Sequence, residues 1–378
     1  MGGTAWLGGR NYLLNLVRAI STYQGRVLTP VIFAGDDATS AEADPFEALE
    51  GIELVRAPAF NDARRTRALL NALLKGFDAD VQAEFARARI DCVFESSRYH
   101  GWRAPQATIA WMPDFQHRFL PEFFNLQARL KREIGFRAQI ASGRRIMLSS
   151  EDARLACERF HPSTIGRTST VSFAVPHTRV DAAQARAVAD RHGLPNSYVF
   201  MPNQFWRHKN HRLVIEALAL LRDRGRRDIV VAASGSSNDP RDALHFPALQ
   251  AQVDTLGLAS QFRILGQIPY SDIAPLLQGA DALLNPSLFE GWSTSVEEAR
   301  AQGRPMILSD LDVHREQVGD AARYFDRHSA QSLAQALGEP MPQVRSDVDA
   351  LTRASSQRMS AFASAFAKLV DSTTRGAR

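Results

Sequence analysis

The stretch Asn285-Pro286-Ser287-Leu288-Phe289-Glu290-Gly291-Trp292-Ser293-Thr294-Ser295-Val296-Glu297-Glu298-Ala299 decides how this sequence is read. The apolar run 281–285 reads as a short buried strand, Gly291 and the Ser293-Thr294 pair mark a turn, and 296–301 reads as the first turns of a helix. A strand that ends in such a turn and enters a helix points backbone N–H groups and the positive end of the helix dipole at one spot. An anion suits that spot, most naturally a phosphate. Glu290 lies in the loop beside it and Glu298 about one helical turn further in. One carboxylate can take hydroxyls on one side of a phosphate and the other on the opposite side. A sugar, a diphosphate and a ribose need contacts in that order.

Working outward, short apolar runs at 198–201, 229–233, 262–265, 282–284 and 305–308 read as strands. Helical patterns separate them at 209–223, 246–256, 272–278 and 294–302. Strands alternating with helices predict an α/β fold with a parallel sheet covered on both faces. Ligands of such sheets bind at the carboxyl ends of strands. The loops 203–209, 266–268 and 289–293 all fall at such ends and so converge on one crevice.

The first half is less regular. Strands are predicted at 27–34, 52–56, 92–94, 108–111 and 145–149, and helices at 11–20 and 151–160, the latter capped by Ser150. A linker at 171–190 carries Pro176 and an Ala-rich helix. The expected organisation is a domain over 1–180, a second over 195–355, and a helix with a polar tail over 356–378. Gly8-Gly9 reads as a turn leading into the helix 11–20. Residues 1–5 are too short and Gly-rich for the buried strand expected before that turn. The first strand of this half therefore reads as missing: either the sequence starts too late or the domain lacks it.

Composition sets outer limits. With 378 residues, 45% hydrophobic and 23% charged, the chain has the make-up of a soluble protein of two or three domains. No apolar run approaches the ~20 residues that span a bilayer, and no signal-peptide pattern opens the sequence. Cys92 and Cys157 stand far apart without His neighbours, so neither a disulfide nor a zinc site is expected, and a cytosolic protein fits. A net charge of +4 does not point to nucleic acid. The segment 118–145 is basic, however, with Arg118, Arg129, Lys131, Arg132, Arg137, Arg144 and Arg145 against Glu122 and Glu133. Leu126, Leu130, Ile134 and Ala138 recur at helical spacing within it. Two readings stand: a helix whose apolar face meets the core, or a basic surface that meets anionic lipid at the inner face of the membrane.

The Glu290/Glu298 pair resembles the E-x7-E motif of retaining glycosyltransferases, glycosyltransferase family 4 above all. The usual E-G-F-G-L-P followed by E-A is here Glu290-Gly291-Trp292-Ser293-Thr294-Ser295, with the second Gly and the Pro replaced. The resemblance spans most of the chain, is strongest over 198–326 and is weaker before residue 100. It implies the GT-B fold, two Rossmann-like domains facing a central cleft, with a final helix (357–370) crossing back. It also implies that Glu290 holds hydroxyls of a donor sugar and Glu298 the nucleotide ribose. Gly291, Trp292, Ser293, Thr294, Gly266, Gln267, Gly8 and Gly9 would line the donor.

Lys209-Asn210 matches the family's Lys-Asn pair, whose Lys reaches the donor diphosphate. A cation is disfavoured at a helix N-terminus, but there it would neutralise charge growing on the departing diphosphate. Relatives often carry an Arg five or six residues earlier; here Gln204 and Asn203 hold those places and Arg207 is the substitute. Pro113-Asp114 stands where relatives often have His-Asp. Asp114 is assigned to orient an acceptor hydroxyl. His117 is either a ligand of the sugar or acceptor or a water-satisfied surface residue.

No cofactor or metal is expected, because helix ends and Lys209 neutralise the diphosphate, and no P-loop, dinucleotide fingerprint or metal-ligand spacing occurs. The implied activity is retaining transfer of a hexose, mannose foremost, from a nucleotide-diphosphate sugar to a glycan or lipid-linked acceptor in surface polysaccharide synthesis. Two alternatives remain open: a sugar-nucleotide epimerase of the same layout, and a non-catalytic sugar-nucleotide binder.

Overall fold

A computed structural model describes residues 7–96, 98–239, 241–342 and 347–377. The chain forms two compact units. One comprises Met1–Phe115, Leu126–Ala174 and Gln357–Arg378, the other Gln116–Asn125 and Val175–Ser356. The segment Gln116–Asn125, which the sequence reading left in the first half, thus belongs to the second unit.

The strands of the first unit are β1 (Val31–Ala34), β2 (Glu53–Arg56), β3 (Cys92–Glu95), β4 (Ala107–Trp111), β5 (Arg145–Leu148) and β6 (Thr168–Thr170). β1 pairs with β2 in a two-stranded sheet, and β3 to β6 form a separate four-stranded one, every pair parallel. Residues of β1 and β3 line a shared cavity of about 490 Å³, together with Leu13, Leu16 and Val17 of the helix Leu7–Gln24. The missing-strand expectation falls on residues 1–5, which lie outside the described residues.

Three expectations for this unit are corrected. First, Gly8 and Gly9 lie within the helix Leu7–Gln24 rather than in a turn ahead of it. Tyr12, Leu16, Val17, Ala19 and Ile20 bury one face of that helix, and such packing overrides the weak helix propensity of glycine. Second, the strand expected from residue 27 starts only at Val31; a turn precedes it and leaves Val27 71% exposed. Third, the helix Leu126–Ala141 forms, but its apolar row does not meet the core: Leu126, Leu130 and Ile134 are 68%, 51% and 62% exposed, and Phe136 and Ile140 are the buried positions.

Nor do the seven basic residues make one charged surface. Arg132 bonds Asp114 (2.9 Å), Arg137 bonds Glu133 (2.9 Å), Arg145 donates to the Gly166 carbonyl (3.0 Å), and Arg144 is buried against Glu95 (3.4 Å). Arg118 belongs to the other unit. Among the described residues no helix is long and apolar enough to cross a membrane.

The second unit holds β7 (Val199–Met201), β8 (Val231–Ser234), β9 (Phe262–Gly266), β10 (Ala282–Asn285), β11 (Met306–Ser309) and β12 (Arg323–Phe325). They form one sheet in the order β12-β11-β10-β7-β8-β9, all pairs parallel. Alternate side chains serve opposite faces. Val199, Met201, Ala282 and Leu284 enter one apolar cluster with the helix His211–Asp223, while Phe200 and Leu283 enter another with Leu276, Leu277 and Val296. Both faces being covered, the strands read as continuous apolar runs. Each fully buried Leu contributes about 1.5–3 kcal/mol. Strand order reverses at β7: β8 and β9 lie on one side of it, β10 to β12 on the other. The gap beyond the carboxyl ends of β7 and β10 is the topological switch point, where sheets of this kind bind ligands.

Candidate functional site

Both loops at the switch point carry charge. After β7 the chain passes through a single 3-10 turn, Arg207–Lys209, and then Asn210, whose φ of 59° and ψ of 35° are left-handed. Asn accepts this conformation better than most residues. The helix therefore begins at His211, not at Lys209 as the sequence pattern suggested. Asn210 donates its side-chain amide to the Pro286 carbonyl (3.1 Å) and the Arg327 carbonyl (2.9 Å). It thereby ties the β7 loop to those after β10 and β12.

Glu290 follows β10 and is 8% exposed. Lys209 Nζ lies 2.6 Å from its Oε1, the Ser287 hydroxyl donates to the same oxygen at 2.6 Å, and Asn285 Nδ2 approaches at 3.4 Å. Burial works to raise the Glu290 pKa, but Lys209, the nearby His314 and the bond from Ser287 outweigh it and hold the carboxyl below its ordinary range. Glu290 is thus an ionised carboxylate in a nearly dry pocket, neutralised by one ammonium.

Ser293 occupies the N-cap of the helix Thr294–Ala301 without capping it through its side chain. Gln317 fixes its backbone, accepting from its N–H (3.3 Å) and donating to its carbonyl (2.8 Å). The first N–H groups of a helix have no intrahelical acceptor and favour an anion. Of the two adjacent glutamates, Glu297 is 1% exposed and engaged by Gln317 (3.1 Å) and Arg300 (3.4 Å). Glu298 is half-buried; desolvation pushes its pKa up to about 7, tempered by a hydrogen bond from the Tyr270 hydroxyl.

Gly266 closes β9 with a φ of +68° and accepts from the Gly235 N–H (2.8 Å); Gln267 beyond it is exposed. Gly235 was not singled out from sequence. Its φ is +154°, and a Cβ there would stand 2.6 Å from both the Asn203 carbonyl oxygen and Gln204 Cα. The signal was a run of small residues after β8, at a strand's carboxyl end. His314 was missed too: its Nδ1 bonds the Ser309 carbonyl (2.8 Å), and burial keeps its pKa low despite Glu290. Among the described residues its buried Nε2 has no hydrogen-bond partner.

Arg207 stacks on Phe123 at 4.7 Å and faces Asp242 at 3.7 Å. Phe119 stacks on Phe289 at 5.4 Å. His117 is 2% exposed, which removes the surface-residue reading: the segment Gln116–Asn125 packs its aromatic residues on the second unit and takes His117 with it. The structure thus gathers Lys209, Asn210, Glu290, Ser293 and Thr294 around one switch point in the second unit. Glu298, Gly291, Trp292, Gly266, Gln267, Arg207 and His117 belong to that unit as well; Asp114, Gly8 and Gly9 belong to the first. Among the described residues no group of His, Cys, Asp and Glu side chains could hold a metal ion.

Residues 189–341 match the family model "Glycosyl transferases group 1". The matched residues all lie within the second unit. A stretch of 90 residues is 30% identical to the O-antigen chain mannosyltransferase RfbU of Salmonella typhimurium, covering 24% of this chain and 26% of that protein. The chain thus spans about a quarter of the length of the curated relative it matches.

Solved structures share the fold over nearly the whole chain. A glycosyltransferase from Rickettsia africae aligns with a TM-score of 0.66 at 14% identity, covering 100% of this chain and 94% of that one. Anabaena HepE, in complex with UDP and glucose, gives 0.63 at 15% identity over 98% and 94%. WaaG, a glycosyltransferase involved in lipopolysaccharide biosynthesis, gives 0.58 at 15% over 95% and 94%. The fold is therefore that of GT-B glycosyltransferases.

Proposed function

We propose that the protein is a retaining hexosyltransferase that binds a nucleotide-diphosphate sugar at the β7/β10 switch point. The hexose goes to a glycan or lipid-linked acceptor of surface polysaccharide synthesis. The observation that carries this reading is the buried Lys209–Glu290 pair, 2.6 Å apart, beside the open N-terminus of the helix Thr294–Ala301. In this reading the diphosphate takes the helix N-terminus and Lys209, the sugar hydroxyls take Glu290, and the ribose takes Glu298. The name of RfbU supports mannose as the hexose, and the HepE complex supports uridine as the donor base.

The sugar C1–O bond to the diphosphate breaks, and a bond from C1 to the acceptor oxygen forms on the same face. The acceptor hydroxyl proton passes to the departing diphosphate. Charge grows on that diphosphate as the bond breaks, so the Lys209 ammonium acts more strongly in the transition state than in the ground state. Glu290, ionised and desolvated, orients the hexose through its hydroxyls. Asp114 is assigned to the acceptor hydroxyl, and His117 and Arg207 to the donor side.

Incubation with a panel of nucleotide sugars and an acceptor extract, read by mass spectrometry, tests this. A transferase releases nucleoside diphosphate and adds one hexose mass to an acceptor. Conversion of the donor to an isomer would make the protein an epimerase, and binding without conversion would make it a non-catalytic relative.

A further inference from the structure

The first unit contains a cavity of about 1330 Å³ that the donor chemistry does not use. It exceeds the roughly 300–1,000 Å³ common for small-ligand pockets. Two helices line it with apolar side chains: Leu69 and Leu73 from Arg65–Leu74, and Leu126, Leu130 and Ile134 from Leu126–Ala141. These side chains face water: Leu69 and Leu73 are each 42% exposed and Leu130 51%. The deeper wall is Phe60, Val81, Trp111 and Phe136, all buried. An apolar wall of this extent, open to water, marks a surface that binds something.

The charges on the cavity have one outward sign. Of its carboxylates, Asp78 caps a helix through the Val81 N–H (3.1 Å) and holds Asn71 (2.7 Å), and Glu95 is buried against Arg144 (3.4 Å) and the His100 N–H (2.8 Å). The cations Arg65, Arg98 and Lys131 also line it. Arg64 and Arg67 share Asp80 (3.0 and 2.7 Å), whereas Arg65 between them, like Lys131, has no carboxylate partner among the described residues. Arg98 donates to the Phe60 carbonyl (2.9 Å) and to Asp62 (3.5 Å), a carboxylate that is not part of the cavity lining. Its pKa is depressed by burial and by the neighbouring Arg65. With both lining carboxylates engaged, the cations Arg65, Arg98 and Lys131 on the lining suit an anion.

We propose that this groove seats the hydrocarbon tail of a phosphate-bearing amphiphile, with Arg65, Arg98 and Lys131 on its phosphate, and that this amphiphile is the lipid-linked acceptor. Only the second clause rests on the transferase reading. A groove lined by two helices encloses a chain on several sides, which a planar bilayer surface does not require. A two-fold contact with a second copy would set the same basic rim against itself.

The test is calorimetric titration of the full chain with octyl, decyl and dodecyl phosphate, each below its micelle concentration. The expected result is one saturable site whose affinity rises about fourfold per methylene. From octyl to dodecyl phosphate that is about two hundredfold. Leu73→Asp with Leu130→Asp is expected to lose at least tenfold of the dodecyl phosphate affinity. Lys131→Glu is expected to weaken the phosphate but not dodecanol. The substituted leucines are partly exposed, so unchanged melting and nucleoside diphosphate affinity are the folding controls.

Affinity independent of chain length, or unchanged in the double variant, overturns the proposal. So does saturable binding to anionic vesicles only, or a mass that doubles with concentration while alkyl phosphates do not bind. If alkyl phosphate binds as expected but no nucleotide sugar is turned over, the tail site stands and the transferase reading falls. If turnover is seen without alkyl phosphate binding, the reverse holds.

Discussion

Glu298→Gln should change the pH dependence of both stability and nucleotide binding. In the folded protein the carboxyl titrates at about 7, against an ordinary value of 4.5. The difference corresponds to about 3 kcal/mol at ~1.4 kcal/mol per pKa unit. The folded state therefore keeps a proton that the unfolded chain releases between pH 4.5 and 7. Its contribution is full below pH 4.5 and is lost as pH rises, by ~1.4 kcal/mol per pH unit, becoming level above about pH 7. Glutamine carries no ionisable group, so the variant should match the wild type near pH 4.5 and exceed it by up to about 3 kcal/mol at pH 8.

Nucleotide binding should move the opposite way. Ribose hydroxyls donate to the carboxylate, so the wild type should bind a nucleoside diphosphate more tightly as pH rises through 7. At pH 8 the variant should bind more weakly by about 1.5–3 kcal/mol, the value of a charge-assisted hydrogen bond. Urea unfolding and calorimetry at pH 5, 6, 7 and 8 supply both curves. Ionisation of the ligand's own phosphate is common to the two proteins and cancels in their difference. If the wild-type-minus-variant difference in affinity does not change with pH, Glu298 is not the ribose ligand. If the difference in stability does not change, the carboxyl is not desolvated.

Removing Lys209 leaves a buried carboxylate without its counter-charge: Lys209→Met should destabilise by about 3–5 kcal/mol, and adding Glu290→Gln should restore most of that in urea melts. Turnover should not recover with stability, because the contact to the leaving diphosphate, about 10²–10³ in kcat, is still absent. Glu290→Gln alone should lower turnover of the intact sugar nucleotide while affinity for the free nucleoside diphosphate stays nearly unchanged; an equal fall in both would mean that the two residues do not divide donor recognition as assigned. Gly235→Ala should destabilise by about 1–3 kcal/mol, since the added Cβ meets the Asn203 carbonyl at 2.6 Å; an unchanged melting curve would show that the two loops are not held this close.

The parallel sheet of the second unit was legible because β7, β8, β10 and β11 are predominantly apolar runs buried along their whole length. The edge strand β12 was not, being three residues long with only Phe325 buried. Helical periodicity located Leu126–Ala141 but left open whether its apolar row meets the core. Spacing reveals which residues share a face, not whether that face meets protein or opens into a cavity. The two glutamates were legible as a spacing within one segment. The Lys209–Glu290 pair joins residues 81 positions apart, and Gln317 reaches Ser293 across 24. Only the sheet topology brings such residues together, and no local pattern records it. Gln116–Asn125 changes units for a similar reason: Phe119 and Phe123 find their partners in Phe289 and Arg207, far along the chain.

A crystal structure with a nucleoside diphosphate sugar tests the central claim most directly. The account predicts the diphosphate at the N-terminus of the helix Thr294–Ala301, Lys209 Nζ moved onto its oxygens, Glu290 on the hexose hydroxyls and Glu298 on the ribose. A nucleotide bound away from the carboxyl ends of β7 and β10, or a Lys209–Glu290 pair still closed at 2.6 Å with the donor in place, would contradict it.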